Sequence, residues 1–151
     1  MTTPRVQPRS NRPTPWSRSV AWTVRIISIV DDDASARTAT ARLLRSVGFA
    51  VYAFASAQEF LALPRLGDTS CLIVDVQMLG LSGVELQEYM IAHGHNTPMI
   101  FITAFPEDQI RVRAMNDGAI NFLSKPFDEA RLLECVEQAL QRQKVGITRD
   151  Q

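Results

Sequence analysis

From Arg25 onward the chain alternates five times between a short apolar run and a segment of helical spacing. Ile26 to Val30 (IISIV) is rich in branched residues, the composition of a strand buried on both faces. Ser35 to Val47 repeats small and apolar residues at Ala36, Ala39 or Thr40, Leu43, Leu44 and Val47, a helical pattern closed by Gly48. Phe49 to Phe54 is a second strand, after which Ser56 N-caps a short helix stopped by Pro64. Cys71 to Val74 is the third strand, and a helix runs from Val84 to about Ala92 after Gly83. Met99 to Ile102 is the fourth strand. Pro106, Glu107 and Asp108 then open a helix, with proline suited to the first helical position and acids to the positive end of the dipole. Gly118 closes that helix. Asn121 to Leu123 is a short fifth strand, and Asp128 begins a last helix with Leu132, Leu133, Val136, Ala139 and Leu140 on one stripe.

Five strand–helix repeats with short connections predict an α/β fold, a parallel sheet covered on both faces with right-handed crossovers. The common small version is the flavodoxin-like (βα)5 doubly wound sheet of strand order 2-1-3-4-5. Its switch point lies between strands one and three, and ligands bind there, outside the carboxyl ends of the strands.

The residues at those ends are chemically distinctive. Strand one runs straight into Asp31, Asp32 and Asp33, and strand three ends on Asp75 before a loop holding two glycines, Gly80 and Gly83. A buried carboxylate without a partner is costly or surrenders its charge, so Asp75 needs company. Topology brings Asp31 and Asp32 beside it, and neighbouring strands lie roughly 5 Å apart. Carboxylates that close repel unless a cation sits among them, and an oxygen-only set open to water suits Mg²⁺. Asp33 is read instead as the cap of the first helix. Strand four ends at Thr103, a hydroxyl donor, and strand five is followed by Lys125, a long cation able to reach the acids. Carboxylate, divalent cation, hydroxyl and ammonium around one cleft are the parts of phosphoryl transfer, in which a carboxylate can itself be the nucleophile. Asp75, at the centre of the sheet, is the candidate nucleophile.

Other chemistries find little support. Formal charge is zero, so no basic field favours direct nucleic-acid binding. The charge is uneven: residues 1–24 carry Arg5, Arg9, Arg12 and Arg18 and no acid, leaving 12 basic against 16 acidic side chains beyond them. That first segment, rich in Pro, Arg, Ser and Thr, is expected to be a disordered tail, with a lipid- or RNA-touching basic arm built on Trp16 and Trp22 as the sharper alternative. The two cysteines, Cys71 and Cys135, sit in apolar surroundings without metal spacing, as reduced thiols of a cytoplasmic protein. No apolar run reaches the ~18 residues of a membrane span. Val20 to Val30 is interrupted by Arg25, and three aspartates precede the Ala34-Ser35-Ala36 site that an exported precursor would need. His93-Gly94-His95 falls where the third helix ends and reads as a cap rather than a metal pair.

Taken together, the acid pair in IVDDD, the acceptor in LIVDVQMLGLSG, the Thr-Ala pair in FITAF and Lys-Pro-Phe in NFLSKPF make residues 25–143 resemble the receiver domain of two-component response regulators. The similarity is to the nitrogen-fixation regulator and NtrC-like branches. The resemblance implies a phosphorelay switch whose acceptor, Asp75, takes phosphate from a histidine kinase or phosphotransfer protein. It implies Mg²⁺ held by Asp32 and Asp75 directly, by Asp31 through water and by the Gln77 backbone carbonyl. Thr103 and Lys125 would contact the phosphoryl group, and Phe122 holds the place of the family's switch aromatic. It further implies a responding surface on the fourth helix, fifth strand and fifth helix, which would also serve a homodimer. The protein would assist its own phosphorylation and dephosphorylation but turn over no external substrate.

Two departures matter. The family usually carries Pro after the Met of the acceptor loop, whereas Met78 is followed here by Leu79 and Gly80, relaxing the loop's φ restriction. Gln77 and Phe105 occupy positions that in this family tune access of water to the phosphate, and bulky Phe105 is expected to shield it. The chain ends shortly after its fifth helix, with a polar tail expected over 144–151. That suggests a single-domain receiver acting through an output partner, or a fragment of a transcription regulator or hybrid kinase lacking its effector domain. Two rivals remain: a receiver-shaped binding module that is not phosphorylated, and a haloacid dehalogenase-type phosphatase, which would place its nucleophile in the DxD spacing of Asp31 and Asp33.

Overall fold

The computed structural model describes residues 25–149, with side chains described through residue 142. The arginine-rich segment 1–24, with its two tryptophans, lies outside the described residues. Five strands, β1 (Ile26–Val30), β2 (Ala50–Phe54), β3 (Thr69–Asp75), β4 (Met99–Thr103) and β5 (Asn121–Ser124), alternate with five helices. The helices are α1 (Ala34–Ser46), α2 (Ala57–Leu61), α3 (Gly83–Ala92), α4 (Asp108–Asn116) and α5 (Glu129–Arg149). Every strand pair is parallel and the order is β2-β1-β3-β4-β5. This is the flavodoxin-like doubly wound arrangement expected from the alternation.

Side chains along a strand point alternately to opposite faces, so a central strand of branched residues fills two cores at once. In β3, Cys71 and Ile73 join Ile27, Ile29, Ile100 and Ile102 on the face covered by α1 and α5. Leu72 and Val74 join Val30 and Phe101 on the other, covered by Ala57 and Phe60 of α2, Leu86 and Met90 of α3 and Ala114 of α4.

Boundaries differ from the sequence expectation in three instructive places. Strand β3 begins at Thr69 rather than Cys71 because the Thr69 hydroxyl is buried in a 2.8 Å hydrogen bond with Ser28, so a polar residue extends the sheet. Pro106 is not the first residue of α4: Glu107 is still extended (φ −128°, ψ 129°) and the helix starts at Asp108. Helix α5 continues to Arg149, past the point at which a tail was expected to begin. The His93 reading agrees with the structure: His93 caps α3, its ring stacks on Tyr89 at 3.9 Å, and Gly94 takes φ +79°.

Candidate functional site

Register alone levels the strand ends. Val30 lies opposite Val74, so Asp31 and Asp75 leave β1 and β3 at the same height. Asp75 lies opposite Ile102 and Thr103 opposite Ser124, which puts Thr103 one step and Lys125 two steps further along. The long Lys125 side chain spans the remaining gap: its Nζ donates to Asp75 Oδ2 at 2.8 Å and to Asp31 Oδ2 at 3.0 Å. Four sequence-predicted residues on three separate strand ends, Asp31, Asp32, Asp75 and Lys125, thus meet in one cleft, since Asp31, Asp32 and Asp75 each offer a carboxylate oxygen within 4.8 Å of the others.

Local structure holds each piece. Asp31 is fully buried; its Oδ1 accepts the Asp33 amide and its carbonyl accepts the Arg37 guanidinium at 2.7 Å. Asp33 behaves as the cap expected of it, accepting the amides of Ser35 and Ala36. A dehalogenase-type pair is thereby disfavoured, because Asp33, its second acid, is engaged in capping α1. Asp75 Oδ1 accepts the Gln77 amide at 2.9 Å. Asp32 is the exposed acid, reached by a long 3.4 Å contact from the Leu79 amide. Proline at position 79 would have no such donor, so the departure from the family pattern adds a contact to the acid loop.

Electrostatics follow from burial. Desolvation raises the Asp75 carboxyl above its ordinary value; the Lys125 hydrogen bond opposes this and the Asp31 charge reinforces it. Burial works against the Lys125 charge, but its bonds to Asp75 and Asp31 prevail and hold its ammonium above the ordinary lysine value. Three carboxylates against one ammonium leave two negative charges in an all-oxygen cluster. That donor set fits Mg²⁺, a hard cation that prefers oxygen and keeps several waters.

The remaining predicted residues lie on or just after β4 and β5. Thr103 is fully buried, and its hydroxyl donates to Gln77 Oε1 at 2.5 Å while accepting the Phe105 amide at 3.0 Å. Phe122 is partly buried with its ring centroid 6.1 Å from that of Phe101. Phe105, expected to shield the site, has 70 % of its surface exposed.

Sequence reasoning missed two contributors. The Gln77 side chain was not given a partner, and nothing in the pattern would have supplied one. Gly83 stands in the sequence only as a loop glycine ahead of the third helix, yet a Cβ there would lie 2.5 Å from the Asp75 carbonyl oxygen. Its setting was legible, since Ser82 and Glu85 form a capping box at the start of α3.

Comparison with known proteins agrees with this geometry. The response regulator receiver domain family matches residues 27–137. The chain belongs to that family. This receiver domain is 43% identical to Nodulation protein W of Bradyrhizobium diazoefficiens over 124 residues, 82% of this chain and 55% of that protein. It is 41% identical over 117 residues to the transcriptional regulatory protein FixJ of the same organism, covering 77% of this chain and 57% of that one. Among solved structures, response regulator StyR superposes with a TM-score of 0.75 at 43% identity, covering 84% of this chain and 66% of that one. These relatives fit the nitrogen-fixation regulator branch. The chain spans about half the length of the curated relatives it matches.

Proposed function

We propose that residues 25–143 form a phospho-acceptor switch in which Asp75 takes a phosphoryl group from a histidine kinase or phosphotransfer protein. The observation that carries the reading is the double hydrogen bond of Lys125 Nζ to Asp31 and Asp75, which closes the cluster around one carboxylate at the sheet's centre. An Asp75 carboxylate oxygen attacks phosphorus, the P–N bond of the donor breaks as the acyl P–O bond forms, and the donor imidazole, already protonated on its other ring nitrogen, leaves as the neutral ring. Lys125 and the Thr103 hydroxyl would donate to the phosphoryl oxygens. Asp31, Asp32, Asp75 and the Gln77 carbonyl would hold Mg²⁺, which when bound neutralises charge on the acids and the transferring group. The domain acts only on its own phosphorylation state and has no external substrate.

Phosphorylation adds charge and acceptor oxygens at Asp75, and Thr103 with Phe122 would carry the change to α4, β5 and α5. That face would meet an output partner or an effector domain of a longer protein, or a second copy in a homodimer. Among the described residues no helix is long and apolar enough to cross a membrane. A cytoplasmic domain without direct contact to nucleic acid is the reading supported by the receiver-domain family match. Intact mass after incubation with acetyl phosphate and Mg²⁺ tests the reading. Wild type should gain one phosphoryl group and Asp75→Asn none; no gain by wild type, or an equal gain by the variant, contradicts it.

A further inference from the structure

The Thr103 hydroxyl has a single proton, and in this structure Gln77 holds it. Thr103 Oγ1 donates to Gln77 Oε1 at 2.5 Å, and the same oxygen accepts the Phe105 amide at 3.0 Å. The other end of the Gln77 carboxamide, Nε2, donates to the Phe105 carbonyl at 3.3 Å. These three bonds close a ring across the ends of β3 and β4. Thr103 is fully buried, so water offers its hydroxyl no ready alternative partner. The Gln77 backbone is tied in turn to Asp75, through its amide to Oδ1 at 2.9 Å.

A phosphoryl oxygen on Asp75 would need the proton that Gln77 already holds. We propose that the Gln77 carboxamide is a latch that retains the Thr103 hydroxyl in the unphosphorylated domain and so sets how readily the switch is thrown. The proposal rests on the phospho-acceptor reading of Asp75 and adds the regulation of that site. Gln77 is a positioning residue here: its side chain acts through Thr103. The arrangement needs a side chain that accepts from the hydroxyl and donates to the Phe105 carbonyl at once, which a carboxamide does and an apolar side chain of equal length does not. Binding of a phosphoryl mimic has to displace this contact, so releasing it in advance raises the population of the receptive state.

The test is a double-mutant cycle of Gln77→Met and Thr103→Val, read by calorimetric affinity for beryllium trifluoride with Mg²⁺. Methionine keeps the length of glutamine without its polar atoms, and valine keeps the shape of threonine without its hydroxyl. Losing one hydrogen bond from the resting state should tighten binding by Gln77→Met roughly three- to tenfold. In the Thr103→Val background the same substitution should change nothing. An unchanged affinity of Gln77→Met, or an equal gain in both backgrounds, overturns the latch, because the residue would then act through bulk alone. A second readout uses the unliganded proteins. The Phe122 amide resonance of Gln77→Met should lie between those of free and beryllofluoride-bound wild type, and coincidence with free wild type contradicts the proposal. Binding by wild type with either contrary result sinks the latch alone, whereas no binding by wild type overturns the phospho-acceptor reading and the latch with it.

Discussion

At the scale of single residues, the site is a compromise between burial and charge. Lys125 stands between two buried acids, and one ammonium cannot offset both. Because the folded state raises the Asp75 value, it binds that proton more tightly than the unfolded chain does. Stability should therefore decline as pH rises from the ordinary carboxylate value through the raised one. Asp75→Asn removes the charge and should stabilise the domain at neutral pH by about 0.5–2 kcal/mol, the scale on which functional sites commonly trade stability for activity. Denaturant unfolding at neutral and acid pH checks this: the gain should shrink as Asp75 becomes protonated, and a gain that is constant or grows in acid contradicts it. Residue types at strand ends were readable because topology alone puts Asp31, Asp75, Thr103 and Lys125 at one edge. The Gln77 carboxamide was not, since its partners depend on how two loops close, which no periodicity encodes. Neither was the Leu79 amide's approach to Asp32, a backbone contact invisible in side-chain identity.

At the scale of elements, α3 is what seats Asp75. Ser82 and Glu85 satisfy each other's amides at its first turn, and Gly83 donates its own amide to the Val76 carbonyl at 3.1 Å. The helix start therefore presses directly on the end of β3. Alanine at 83 would put its Cβ 2.5 Å from the Asp75 carbonyl oxygen, a backbone atom with little room to give. Gly83→Ala should destabilise by roughly 1–3 kcal/mol, as overpacking does, and slow phosphorylation from acetyl phosphate by shifting Asp75. Unaltered unfolding together with unaltered labelling rates would show that the contact is not limiting. The existence of all five strands and five helices was legible, because branched runs and helical spacing are strong signals. Ends were less so: Thr69 extends β3 through a buried hydroxyl pair that looks like a loop in sequence, and Pro106 precedes α4 by two residues because Glu107 stays extended.

At the scale of the whole molecule, the sheet divides two cores, and Cys71 and Cys135 both lie fully buried in the one under α1 and α5. Burial, reinforced by the neighbouring Cys135, pushes the Cys71 thiol up, away from the reactive thiolate. Neither cysteine should react with an alkylating reagent in the folded protein at mildly alkaline pH, and both should react on unfolding; rapid native labelling would contradict the described core. The two-sided sheet also explains why the fold was legible when its output was not. A switch point collects chemistry from distant residues, whereas any partner of the proposed α4, β5 and α5 face would be chosen by surface detail. The central claim is that this fold assembles one phosphate acceptor from strand ends far apart in sequence. Reducing the acetyl phosphate-treated protein with borohydride and mapping the modified peptide by tandem mass spectrometry tests it most directly. Homoserine should stand in place of Asp75; homoserine at position 31, 32 or 33 instead, or no homoserine anywhere in the chain, would contradict it.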